Sequence, residues 1–197
     1  MREMIKMVVV LTVLSAFSGG LLAGLRSSTA AQIENQKLQF VKGPAIKEIL
    51  EGASNDPIAD RFKIKDGKTE ISFFVGKFDG KASTVAFESF GKGFGGDIGL
   101  MVGVNLADDA IIGVGVTTHS ETPGLGARAK EDAKFTSQFK GLSMAVPIKV
   151  TTDGGKVNAL SGATITSRAV CAAASDAGKT YQQLKPQIAE KLKEFNK

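Results

Sequence analysis

Two short stretches hold the residue types that could do chemistry. Ser161-Gly162-Ala163-Thr164-Ile165-Thr166-Ser167 lies between a predicted strand, 156–160, and a long helical run that begins near Ala163. A glycine-containing turn that opens a helix brings backbone N–H groups close to an anion. The partial positive charge of the helix N-terminus makes phosphate the natural guest there. Gly162 permits the tight turn, Ala163 adds little bulk, and Thr164 offers a hydroxyl at the helix mouth. The plainer reading of the same residues is a helix cap, supplied by Ser161 or Thr164.

The second stretch is His119-Ser120-Glu121-Thr122-Pro123-Gly124-Leu125-Gly126, which follows a predicted strand directly. Polar groups, a proline and two glycines are compressed into these eight positions. Such a loop at a strand end presents side chains and backbone amides to a ligand. Pro123-Gly124 equally predicts an ordinary turn before a helix over 127–139. His119 adds an imidazole, which alone is by default a surface or hydrogen-bonded group.

Several elements must position these stretches. Residues 7–25 form a run of 19 without a charge, long enough as a helix to cross a hydrocarbon core of ~30 Å. Arg2 and Lys6 flank its start, which places the rest of the chain outside the cytoplasm. Ser28-Thr29-Ala30 also has the small-x-small form of a cleavage site, but the apolar run exceeds the core of a signal peptide, so a retained anchor is expected over 1–30. A polar helical stalk over 31–40 and a second helix over 44–51 follow. Residues 31–57 are assigned to this linker, and 58–197 to the globular domain.

The domain begins with strands. Those predicted over 61–65 and 69–77 flank the Asp66-Gly67-Lys68 turn, and a third over 82–90 follows Asp79-Gly80. Strands over 98–105 and 110–117 pair across Ala107-Asp108-Asp109. The fold class is α+β, a twisted, mostly antiparallel sheet with packed helices. Phe62, Phe73, Phe87, Leu100, Val102, Ile112 and Val114 are its core candidates. Gly91-Lys92-Gly93-Phe94-Gly95-Gly96 reads as a flexible glycine cluster, and no helix follows it to make a nucleotide fingerprint. Beyond the first stretch, Ile165, Ala169, Ala173 and Ala177 mark a narrow helix face of mostly small residues, and 181–195 reads as a terminal helix interrupted near Pro186.

Composition excludes several classes. The net charge is +5, from 25 Lys+Arg against 20 Asp+Glu, with no dense basic block to bind nucleic acid. One Cys and one His make neither an internal disulfide nor an unaided zinc site.

Together the two stretches resemble the hallmarks of the FMN-binding domain family, in the family's order. That family includes the G subunits of Rnf-type electron-transport complexes and the C subunits of sodium-pumping NADH:quinone oxidoreductases. Ser161-Gly162-Ala163-Thr164, followed by Ile165-Thr166-Ser167, resembles the flavinylation motif, with Asn158 where the family pattern has aspartate. The Glu-Thr-Pro-Gly-Leu-Gly run, with His119 two residues ahead, resembles the second hallmark. The chain's short length is more like that of the G subunits.

The resemblance implies FMN bonded through a phosphoester to Thr164, attached by a separate flavin transferase. It implies that Ser161, Gly162 and Ala163 allow close approach and that Thr166 donates to a phosphate oxygen. The flavin ring then rests against Glu121, Thr122, Pro123, Gly124, Leu125 and Gly126. The implied protein is a membrane-anchored electron carrier, a subunit of a ferredoxin:NAD oxidoreductase complex with other membrane subunits as partners. The alternatives are the quinone-reductase C subunit, or an exported non-redox binding module in which Ser-Gly-Ala-Thr is only a cap.

Overall fold

The computed structural model describes residues 1–67 and 69–196. They fall into two compact units, Met1–Gln39 and Phe40–Lys197. The first is built from α1, Arg2–Gln36, which is long and apolar enough to cross a membrane and has no buried residue. A π-helical segment, Lys37–Lys42, leads into α2, Gly43–Ile49.

The second unit is organised by one five-stranded antiparallel sheet in the order β1-β2-β3-β4-β5. The strands are Arg61–Asp66, Thr69–Phe78, Lys81–Lys92, Asp97–Asn105 and Ala110–Thr118. Each strand pairs with the next through a short turn, as the turn residues predict. Gly67 and Gly80 take the left-handed conformation that such hairpins require. Lys68, the last residue of the first predicted turn, lies outside the described residues.

Strand alternation sends Phe62, Phe73, Phe87, Val102 and Val114 to one face, where the register sets them side by side. The Phe62 and Phe73 rings stack at 5.4 Å and the Phe73 and Phe87 rings lie 5.0 Å apart. Ile112 departs from expectation. Gly103 pairs with Gly113 and Val104 with Ile111, so Ile112 is the extra residue of a bulge and Ile111 takes the core position.

A single helix, α5 (Thr164–Phe195), covers this face with Ala169, Ala173, Ala177, Tyr181, Leu184, Ile188 and Leu192 buried. It runs unbroken through Pro186, where an interruption was expected. Leu184, Ile188 and Leu192, around and beyond the proline, are all buried in the core, and that burial outweighs the lost backbone bond.

The other face of the sheet is also apolar. Helix α2 packs on β4 and β5 and buries Ala45 and Ile46, with Leu50 buried just beyond its end. Glycines make room for it: a Cβ at Gly103 would lie 2.2 Å from Ile49 Cγ2, and one at Gly115 would lie 3.0 Å from Ala45 Cβ. Lys42 Nζ, at the start of α2, pairs with Glu88 of β3 at 2.7 Å. The compact unit thus opens at Phe40, and α2, assigned above to the linker, belongs to the domain.

Two further elements differ from expectation. The helix predicted over 127–139 is divided into α3 (Arg128–Glu131), α4 (Ala133–Thr136) and a 3-10 turn, Ser137–Phe139. Asp132 breaks it by turning extended and capping α4 through its side chain, which accepts from the Lys134 N–H at 3.0 Å. The strand predicted over 156–160 reduces to one bridge, Val157 to Val150. Next to it, Asn158 has its backbone N–H and C=O bonded to the Gln138 side chain at 2.8 and 3.2 Å, instead of to a neighbouring strand.

Candidate functional site

The C-terminal ends of β3 and β5 and the start of β4 meet at one end of the sheet, where Lys92 pairs with Asp97 and Gly99 with Thr118. Two segments leave from there, the glycine turn 93–96 and the loop 119–126. Across from them lies the N-terminus of α5. Between these segments is an open cleft of about 390 Å³, lined by Phe94, Glu121, Thr122, Leu125, Gly126 and residues 162–166. The two stretches singled out by residue type therefore converge, although some 40 residues separate them.

Glu121 joins the parts. It is only 6% exposed, yet both carboxylate oxygens are used. Oε1 accepts from the Gly95 N–H at 2.7 Å, and Oε2 accepts from the Thr166 hydroxyl. The glycine run expected to be flexible is instead closely packed around this group. A Cβ at Gly93 would lie 2.5 Å from Glu121 Oε1, one at Gly95 2.0 Å from the Ser120 carbonyl oxygen, and one at Gly126 2.7 Å from Thr166 Oγ1. Here glycine serves close approach of neighbouring segments rather than chain freedom.

His119 does not line the cleft. Its Nδ1 accepts from the Glu121 N–H at 3.3 Å, so the imidazole shapes the turn that delivers Glu121. Pro123 and Gly124 form the exposed tip of the loop and do not line the cleft either. The Leu125 and Ala127 N–H groups both donate to the Thr122 carbonyl, which curls the loop back over the cleft.

The hydroxyls of the first stretch separate sharply. Ser161 is exposed and lies outside the cleft lining. Ser167 is buried, accepting from the Leu160 N–H and donating to the Ala163 carbonyl, each at 2.9 Å, and so staples the turn. Thr166 is 2% exposed and engaged with Glu121, not free to meet a phosphate as expected. Thr164 is half-buried and lines the cleft, with no hydrogen-bond partner for its hydroxyl among the described residues.

The cap reading fails on geometry. The residue before the helix is Ala163, and no side chain caps it. The first-turn amides of Thr164, Ile165 and Thr166 therefore have no partner among the described residues. Gly162, at φ +78, makes the turn that exposes them.

In the sequence Phe94 reads only as part of the glycine cluster, and Ile165 falls on the helix face shared with Ala169, Ala173 and Ala177; in the structure Ile165 instead turns to the cleft. Phe94 and Ile165 are 71% and 51% exposed and, with Leu125 at 47%, give the cleft apolar walls. The available signal was one large aromatic inside a glycine run, with glycines on both sides. Arg168, one turn beyond Thr164, is held by Asp153 through two bonds of 2.7 Å. Cys171 is buried, as expected, and burial pushes its thiol up to about 12, which makes it chemically inert.

The donor set and shape suit a guest that carries both an anion and a flat ring. Free amides at a helix mouth suit a phosphate, and a slot between apolar side chains and glycine backbone suits a flat aromatic ring. A flavin mononucleotide carries both, and the residues present fit that guest. The pattern of the FMN-binding domain matches residues 93–179, the span that contains both stretches and Phe94. The G subunit of the ion-translocating oxidoreductase complex of Methanosarcina acetivorans is 34% identical, covering 86% of this chain and 89% of that protein. The G subunit of the Na(+)-translocating ferredoxin:NAD(+) oxidoreductase complex of Acetobacterium woodii is 29% identical, covering 93% and 94%. Among solved structures, NqrC of Shewanella oneidensis matches with a TM-score of 0.53 at 27% identity, covering 71% of this chain and 72% of that one. The chain belongs to the family of G subunits of ion-translocating oxidoreductase complexes, and within it residues 93–179 form an FMN-binding domain.

Proposed function

We propose that this protein is the membrane-anchored electron-transfer G subunit of an Rnf-type ion-translocating ferredoxin:NAD oxidoreductase complex, carrying FMN bonded through its phosphate to Thr164 Oγ1. One observation carries the reading: of the four hydroxyls in the motif, Thr164 alone both lines the cleft and is unengaged among the described residues. A flavin transferase completes the protein. Thr164 Oγ1 attacks the FMN phosphorus of FAD, the phosphoanhydride breaks, AMP leaves and the threonine proton is released.

FMN, once bound, supplies one- and two-electron transfer. The chain's residues do the rest. The Thr164, Ile165 and Thr166 amides hold the phosphate oxygens, and Phe94, Leu125 and Ile165 exclude water from one part of the ring. The open side of the cleft would leave a bound ring accessible to a partner subunit. The covalent tether keeps the cofactor at high local concentration on the outer side of the membrane, where a free one is lost by dilution. The cationic start of α1, Arg2 and Lys6, supports that orientation, with the domain opposite the cytoplasm.

Co-expression with an active flavin transferase tests this. A denaturing gel viewed before staining should show a fluorescent band at the protein's mass, absent from Thr164→Ala, while circular dichroism of that variant matches the parent. Retained covalent flavin in Thr164→Ala, or a dark parent band beside a fluorescent control substrate, would overturn the assignment.

A further inference from the structure

We infer that Glu121 is the positioning residue of the cleft, fixing the distance between the aromatic wall and the tether point. This rests on the reading of the cleft as a flavin site. Its two carboxylate oxygens hold two separate segments. One arm holds Gly95, and Phe94 sits beside it in a tight turn closed by the Gly93 N–H donating to the Gly96 carbonyl at 2.9 Å. The other arm holds Thr166, two residues from Thr164 on the first turn of α5. The loop's own backbone is held in turn by His119.

No other side chain among the described residues bonds both segments, and the glycines at 93 and 126 clear the space this carboxylate fills. Bonds reaching across 26 and 45 positions tie three pieces of chain into one slot. A ring tethered at Thr164 would then meet Phe94 at a fixed distance. Glutamine can replace the carboxylate here. Its oxygen accepts from Gly95, and its amide donates to the Thr166 hydroxyl, which can accept as well as donate. Alanine breaks both arms, and Thr166→Val breaks one.

The test uses full-length protein flavinylated in cells. Glu121→Ala, Glu121→Gln, Thr166→Val and the Glu121→Ala/Thr166→Val double variant are compared by flavin content, visible absorption and flavin fluorescence anisotropy. Glu121→Ala is expected to keep its covalent flavin but lose the fine structure of the visible band and drop in anisotropy towards free FMN. Thr166→Val moves the same way, the double variant goes no further than Glu121→Ala, and Glu121→Gln stays near the parent. Should Glu121→Ala fail to fold, Thr166→Val against Glu121→Gln still decides. Unchanged spectra and anisotropy in Thr166→Val and Glu121→Ala, or effects that simply add, overturn the positioning role. A parent protein without flavin overturns the flavin reading itself, which separates the two failures.

Discussion

The two faces of the sheet are packed by opposite means. Towards the first half of α5 the strands supply bulk, with Phe73, Phe87, Leu100 and Val102, and the helix supplies Ala169, Ala173 and Ala177. Towards α2 the helix supplies bulk, with Ile46 and Ile49, and the strands supply glycine at 103, 113 and 115. Large meets small on both sides, so both helices approach closely. The functional difference follows from length. Helix α5 is 32 residues long and sets its N-terminus at the cleft, whereas the seven-residue α2 has only its buried face to contribute.

Removing α2 should have the largest effect. A chain starting at residue 40 is expected to melt cooperatively, whereas one starting at 58 loses the buried Ile46 and Leu50 and about 5 kcal/mol of stability. Thermal melts and flavin uptake of the two truncations decide this. Equal melting would remove α2 from the domain.

One glycine on each face sharpens the contrast. A Cβ at Gly91 would lie 2.1 Å from the Ala169 carbonyl oxygen, a backbone atom of α5, whereas at Gly103 it meets side-chain atoms, the Ile49 γ2 methyl first. Gly91→Ala is expected to destabilise by about 3 kcal/mol, a fall of roughly 6–12 °C in Tm, and to reduce flavin attachment. Gly103→Ala should lose only about 1 kcal/mol with attachment unchanged. Equal losses would mean that both helices yield alike.

An equally small effect is expected further along α5. Lys185 Nζ and Tyr181 Oη both donate to the Asp109 carboxylate at 2.6 Å, clasping the β4–β5 turn to the helix. Lys185, and then Tyr181, hold the Asp109 carboxyl below its ordinary range. As pH falls, the unfolded chain therefore takes up this proton first. The clasp contributes fully above about pH 3.9, the ordinary aspartate value, and its contribution is lost as pH falls through the lower folded value. Asp109→Asn, which tolerates the left-handed backbone at this position (φ +54), should lower stability by about 1 kcal/mol at neutral pH. It should also flatten the acid limb of a Tm-against-pH curve. An unchanged acid limb would show that the clasp is not titrating.

Features set by neighbouring residues were legible in the chain alone. Strand alternation, the Asp66-Gly67 and Asp79-Gly80 turns and the apolar first helix are of this kind. The two reactive stretches were legible for the same reason, because residue type and short spacing declare a helix mouth and a strand-end loop. Folding settled what depends on residues far apart. The Gly95–Glu121–Thr166 join drew the walls of the cleft together and engaged the Thr166 hydroxyl. Close approach across the sheet turned glycines that read as flexible into packing surfaces and drew α2 into the domain. Register moved the core position from Ile112 to Ile111, and burial carried α5 through Pro186. In each case a contact between distant segments outweighed a local preference by burying apolar surface or pairing a buried polar group, and no local pattern records such a pairing.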